Sequence, residues 1–381
     1  MRILSLNFLL YTITGLWRPM KWTSNCSKLV YSLCTVITIY LTVYMQMTLF
    51  LHIVFVSETL EEVIAISPLC ISTITIFFKI FAVIINRDQL INLIETFESK
   101  PCKACNKDEI DVQMKFDRSI RSYTIYYILL CTFSCSGAVA AGIFDILERR
   151  LPYNAYVPWD CTSLLAFLIS SLTLIICLIV VTTINAATET TILGLCLQTC
   201  AQFEILKHRL ASMAKREVLS PKSPLNNTFR KTCTLSENVS HHLCIIRLVQ
   251  EINYLYRHVI FVQFFVSILV LCSTVYHVSS HLTVKTLTTL IVFLFSMFVQ
   301  IFIYCIAGDQ VTTKSFGLSE VVYNIDWTFM TISERKDLLM IMKRSTKPVK
   351  LTSSFLVTLS LESYGNLLKA TFSAFNLLQQ F

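Results

Sequence analysis

The chain has 381 residues and a formal net charge of +8; 54% of it is hydrophobic and only 15% charged, against roughly a quarter charged in a soluble domain. Seven glycines and eight prolines are too few for collagen-like, low-complexity or turn-rich β architectures. An ordinary soluble globular domain is excluded, and long apolar helices remain.

The first thirty residues open with Arg2 and an apolar run over 3–10. This resembles a short secretory leader, but no small-residue cleavage site follows. Asn7, Thr12 and Thr14 interrupt the run, and Trp17, Arg18 and Trp22 are residue types that anchor at a membrane interface. The expectation is a retained helix on the cytoplasmic surface. Seven stretches then follow, at 31–56, 64–85, 122–147, 163–184, 258–282, 286–307 and 351–378. Each is long enough for a hydrocarbon layer of about 30 Å. Lys79 lies inside the second, where its long stem would carry the ammonium to the interface.

The connections differ in character. Residues 86–121 form a loop with seven basic and seven acidic side chains. Cys102-Lys103-Ala104-Cys105 within it is one C-x-x-C without the second pair a zinc site needs. After the fourth stretch, Phe203, Leu206, Leu210 and Met213 recur at helical spacing, and beyond Ser220-Pro221-Lys222-Ser223-Pro224 the residues Ile246, Val249, Ile252 and Leu255 resume it. Helices four and five should therefore project into the cytoplasm. Residues 321–342 read as one further amphipathic helix, closed by Pro348.

Lys and Arg set the orientation. Of 32, 27 fall in the opening segment and in the connections after the second, fourth and sixth stretches, and three in the alternate loops. The positive-inside bias puts the N-terminus in the cytoplasm and, after seven crossings, the C-terminus outside. The excess positive charge then faces anionic headgroups and calls for no nucleic acid. Sequons at Asn25, Asn226 and Asn238 lie on the cytoplasmic side of this topology. Most of the fifteen cysteines fall in helices or on that side, so disulfides are not expected.

Chemistry-bearing motifs are sparse. No P-loop, H-E-x-x-H or G-x-S-x-G is present; His241-His242 has no carboxylate or thiol at metal spacing, and His52, His258 and His277 stand at unmatched depths for a haem. Neither catalysis, a metal nor a cofactor is expected. The seventh stretch is more informative. At 100° per residue, Thr358, Glu362, Asn366, Lys369, Ser373, Asn376 and Gln380 share one arc of about 80°, with Gln379 at its border and Ser360 off it. A polar stripe in hydrocarbon must meet protein or water. It is either a packing seam, with Glu362 and Lys369 paired, or the lining of a pore constricted by an apolar layer at Phe375 and Leu378. The outer halves of helices two to six carry few charges, which suits a small neutral ligand; Ser136, Phe144, Phe167, Ser171 and Tyr276 are the lining candidates.

An inside N-terminus departs from G-protein-coupled receptors, and Asp117-Arg118-Ser119 precedes the third helix where their D-R-Y follows it. Other strings point elsewhere: Gly15-Leu16-Trp17-Arg18-Pro19, Leu151-Pro152-Tyr153, Val157-Pro158-Trp159-Asp160, and Gln202-Phe203-Glu204-Ile205-Leu206. Towards the end stand Tyr304-Cys305, Gly308-Asp309-Gln310-Val311, Tyr323 with Trp327, Lys347-Pro348, Leu359-Ser360-Leu361-Glu362 and the run from Leu368 to Phe375. Together they resemble the insect odorant receptor family across the whole chain, with Phe372 where the family usually has Tyr.

The resemblance implies an all-α multi-pass membrane protein: a ligand-binding bundle over 1–307, a cytoplasmic anchor over 308–350 and a pore-lining helix over 351–381. It further implies an odour-tuned subunit of a ligand-gated, non-selective cation channel, tetrameric with a shared coreceptor. Such a subunit would sit in the plasma membrane of olfactory neuron dendrites, take a small volatile ligand and require no G protein. Gustatory receptors share the fold but end in a T-Y-five-apolar-Q-F string that 373–381 fits poorly. A transporter is the alternative from another class.

Overall fold

The computed structural model describes residues 4–19, 22, 24–219, 224–279, 284–328, 330–353 and 357–378. Its described elements are almost all helical. A short helix, α1 (Ser5–Ile13), precedes α2 (Asn25–Phe55), α3 (Leu60–Ile85), α4 (Arg87–Glu98) and α5 (Lys107–Leu147). A 3-10 turn at Pro152–Asn154 leads to α6 (Leu164–Leu219), α7 (Pro224–Ser279), α8 (Val284–Tyr323) and α9 (Ile332–Ser345). A two-stranded hairpin, β1 (Thr352–Ser353) with β2 (Val357–Thr358), then feeds α10 (Leu361–Leu378).

Six of these helices, α2, α3 and α5 to α8, are long and apolar enough to cross a membrane. Their outward faces carry Val36, Tyr40, Phe81, Phe133 and Leu165 exposed, as suits hydrocarbon in place of water. α6 and α7 have 56 residues each, about 84 Å at 1.5 Å per residue, so more than half of each lies beyond the apolar layer. The expected extensions are thus continuous with their membrane helices. α3 packs along α7, and α6 lies between α5 and α8, making α6 the central post.

α1 folds back onto α6. Tyr11 is fully buried and donates its hydroxyl to Thr188 Oγ1 at 3.1 Å, and Arg87 lies 5.3 Å over the Trp17 ring. Gly15 turns the chain between α1 and α2 with φ +74°, close against the Cys34 backbone, a combination only glycine accepts.

Three sequence expectations need correction. The charged stretch 86–121 is not a loop but α4 plus the first four turns of α5; its charges lie on helix faces outside the apolar layer, where hydropathy gives no signal. The helix expected over 321–342 is two pieces: α8 runs to Tyr323, a turn follows, and α9 starts afresh with Thr331 and Glu334 capping each other's backbone N–H groups. The helix expected over 351–378 begins only at Leu361, so Thr358 lies in β2.

The part of the bundle outside the apolar layer is held by Arg209. Its guanidinium forks onto Glu109, at 3.1 Å to Oε1 and 2.9 Å to Oε2, and donates to the carbonyls of Pro101 and Lys103 at 2.8 and 2.9 Å. One side chain of α6 thereby fixes the α4–α5 connection and the start of α5, a geometry lysine could not reproduce. His241 joins from α7, 3.2 Å from Arg209 and 2.9 Å from Gln202. Cys102 faces Cys244 at 3.6 Å, while Cys105 points outward.

Candidate ligand site and pore segment

At one end of the bundle the 148–163 connection folds down between the helices. Backbone strain marks the fold: Arg149, Tyr153 and Asn154 all have positive φ, at 57°, 61° and 50°. Tyr153 tucks onto Gly142 of α5 so closely that a Cβ there would sit 3.0 Å from its hydroxyl. Burial holds the Tyr153 phenol well above its ordinary range, so it is a neutral donor at any physiological pH. Farther along, Tyr156 N–H donates to the Thr48 carbonyl at 3.1 Å. Trp159 stacks on Tyr44 of α2 with centroids 5.9 Å apart and donates its indole N–H to Ser170 of α6 at 3.1 Å.

Beside Ser170, Ser171 is fully buried and its hydroxyl has no partner within the described residues. The Tyr153 hydroxyl is in the same position. Buried polar groups left in this way are uncommon and are where a ligand can gain orientation. Phe167 and Tyr276 are half-buried. Ser136 and Phe144 lie on the exposed side of α5, with the Ser136 hydroxyl turned back to the Phe133 carbonyl at 2.7 Å. The inward side of α5 is instead Cys131, Cys135, Val139 and Gly142, at helical spacing and buried or half-buried. The structure therefore turns Ser171 into the bundle but not Ser136.

Nearer the other end, Lys79 does not snorkel. It is fully buried and donates to Glu189 Oε1 and Asn185 Oδ1, both at 2.5 Å. Gln300 donates to the same Glu189 oxygen at 2.6 Å. α3 and α8 each contribute one residue to this knot and α6 two. Taking two charges from water is costly, and only close pairing with further hydrogen bonds offsets it. Glu189 and Asn185 escaped the sequence reading because they fall just past the fourth apolar stretch; the signal was Lys79 itself, since an ionisable group at membrane depth demands a partner at matching depth.

The C-terminal segment, from 349 through α10, is held by its own contacts. Thr352 N–H donates to Asn253 Oδ1 at 3.0 Å, and Ser353 donates to the Arg257 carbonyl at 3.1 Å. Ser315 of α8 receives the Val349 N–H at 3.1 Å. Gly308 lets Leu359 approach α8 to contact distance of the backbone. Ser360 then caps α10 through the Ser363 N–H at 3.2 Å. Leu367 and Thr371 are buried against the bundle and Tyr364 meets Phe302 at 5.6 Å. Glu362, Asn366, Lys369, Ser373 and Asn376 are all exposed on the far side. Among the described residues, no ion pair joins Glu362 to Lys369 or to any other group. The polar stripe is thus not a seam within this subunit. Gln379 and Gln380 lie outside the described residues, as do the side chains of Phe375 and Leu378.

Comparison with known proteins agrees with this architecture. The family model described as 7tm Odorant receptor matches residues 59–372. Odorant receptor 67c of Drosophila melanogaster is 23% identical over 84% of this chain and 80% of its own length. Another receptor of that fly, 85d, is 24% identical over 68% of this chain, which spans 62% of that relative's length. The fold is that of the insect olfactory receptor OR5 from Machilis hrabei, solved in complex with eugenol: TM-score 0.85 at 16% identity, covering 99% of this chain and 97% of that one. This multi-pass chain, helical but for one short hairpin, belongs to the odorant receptor family of insects.

Proposed function

We propose that the chain is the odour-tuned subunit of an odorant-gated, non-selective cation channel in the plasma membrane, assembled as a tetramer with a shared coreceptor. The observation that carries this reading is the direction of the α10 stripe. Five polar side chains point away from the subunit's own bundle, where hydrocarbon would make them costly, and an aqueous axis shared with neighbouring subunits supplies the water they need. The side chains of α10 from Glu362 to Asn376 would line that axis, with Phe375 and Leu378 as the apolar constriction and Gln379 at its outer rim. Thr358 would lie at its inner entrance. The connections that hold most of the Lys and Arg residues then face the cytoplasm, and the exposed Tyr323, Ile332 and Met340 around α9 meet the partner subunit there.

The odorant site lies under the 148–163 connection. Ser171 offers the orienting hydrogen bond, Phe167 and Tyr276 contribute apolar wall, and Cys135 and Val139 take the place on α5 that Ser136 and Phe144 were expected to fill. With few charged groups at that level, a charged ligand would go unpaired, whereas a small neutral volatile, of the general kind of eugenol, gains from apolar burial.

The test is co-expression. Cells expressing the chain with a coreceptor should pass odour-evoked cation current, and the chain alone should pass little. Robust current from the chain alone would favour a homomer of gustatory type; transport without a multi-ion current would favour a carrier.

A further inference from the structure

Between α3 and α7, at the end of the bundle opposite the 148–163 connection, lies a groove of about 390 Å³. Phe77, Phe78 and Phe81 line it from α3, and Tyr254, Arg257 and His258 from α7. It opens sideways: Phe78 and Phe81 are both exposed. Both walls sit at the same boundary, since the apolar run of α3 ends at Ile85 just before Arg87, and that of α7 begins at His258 just after Arg257. The groove is therefore apolar along its length and cationic at its rim.

No carboxylate lines it. Arg257 donates Nε–H to His258 Nε2 at 3.1 Å and lies 5.0 Å over the Tyr254 ring. Among the described residues its two terminal NH₂ groups have neither a hydrogen bond nor an acidic partner. A planar cation fixed by its stem with two donors free matches a phosphate diester, and the leaflet facing the basic connections is the anionic one. We infer that this groove binds an anionic phospholipid, with one acyl chain along Phe77, Phe78 and Phe81 and its phosphate on Arg257.

The site has a route to the pore segment. The Arg257 carbonyl receives the Ser353 hydroxyl, and Asn253, one turn earlier, receives the Thr352 N–H. A lipid seated on Arg257 braces the turn of α7 that holds the hairpin ahead of α10.

The test uses the full chain with its coreceptor in lipid nanodiscs and a photoreactive phosphatidylserine probe, read by peptide mapping. Labelling should concentrate on the peptides bearing Phe78, Phe81 and Tyr254, and excess phosphatidylserine should compete where phosphatidylcholine does not. Arg257→Gln should lower that labelling about fivefold, the worth of one basic side chain at a membrane surface, with Arg257→Lys in between. Both variants should keep wild-type melting temperatures and unchanged labelling elsewhere. Equal competition by phosphatidylcholine, labelling spread evenly over the bundle, or an Arg257→Gln variant labelled as wild type would each overturn the site. Competition by inorganic phosphate alone would assign it to a soluble anion and overturn it too.

Discussion

A Cβ built on Gly308 would fall 2.3 Å from the Cβ of Leu359 and 2.5 Å from its carbonyl oxygen. α8 and the residue leading into α10 meet backbone against backbone, so two separate strings of the sequence are halves of one contact. Gly308→Ala must push the hairpin away, at a cost of about 1–3 kcal/mol for overpacking. The expected result is a lowered melting temperature with loss of agonist-evoked current. Leu359→Ala should not rescue it, because alanine keeps the obstructing Cβ. Wild-type melting and current in Gly308→Ala would mean the contact is slack.

The Lys79–Glu189 pair predicts a non-additive mutant cycle. Lys79→Met or Glu189→Leu alone leaves a buried charge unpaired and should destabilise by about 3–5 kcal/mol. The double variant removes both charges and should cost less than either single change. Detergent-solubilised melting curves measure this; additive losses would contradict the pairing.

Ser171 carries a prediction of the opposite kind. Its hydroxyl has no partner within the described residues, so Ser171→Ala should leave stability unchanged. Loss of one neutral hydrogen bond to a ligand, about 0.5–1.5 kcal/mol, should raise the agonist concentration for half-maximal current by roughly threefold to tenfold. Ser136→Ala, on the exposed side of α5, should change neither. Equal shifts for both would move the ligand to the outer face of α5.

These contacts also mark how far the sequence could be read. Six membrane helices and the α6 and α7 extensions were legible because bilayer thickness and helical period act on runs of apolar residues, whatever lies around them. The start of α10 was not: residues 351–360 are apolar enough for a helix, but their backbone groups go to Asn253 and to the paired strand, with the Leu359 N–H on the Leu351 carbonyl, all set by tertiary contact. Glu189 lies 110 residues from Lys79, and no local pattern joins them. By contrast, the break before α9 was written locally, since Thr331 and Glu334 have the spacing of a capping box. The polar stripe was visible as a stripe, while its direction depended on which residues, Leu367 and Thr371, the bundle buries.

Orientation can be checked without function. With 27 of 32 Lys and Arg residues in the opening segment and the connections after the second, fourth and sixth apolar stretches, an epitope tag on the N-terminus should be stained only after permeabilisation, and one after Phe381 should be stained on intact cells. The reverse pattern would invert every assignment of inner and outer made from charge.

The most direct test of the pore reading is cysteine accessibility along α10, measured as agonist-evoked current in cells co-expressing the coreceptor. Asn366→Cys, Ser373→Cys and Asn376→Cys should each become sensitive to a charged, membrane-impermeant thiol reagent, above the background of the native cysteines. Leu367→Cys and Thr371→Cys, buried against the bundle, should behave as wild type. Current blocked equally at both sets, or at neither, would contradict a water-filled axis lined by the α10 stripe.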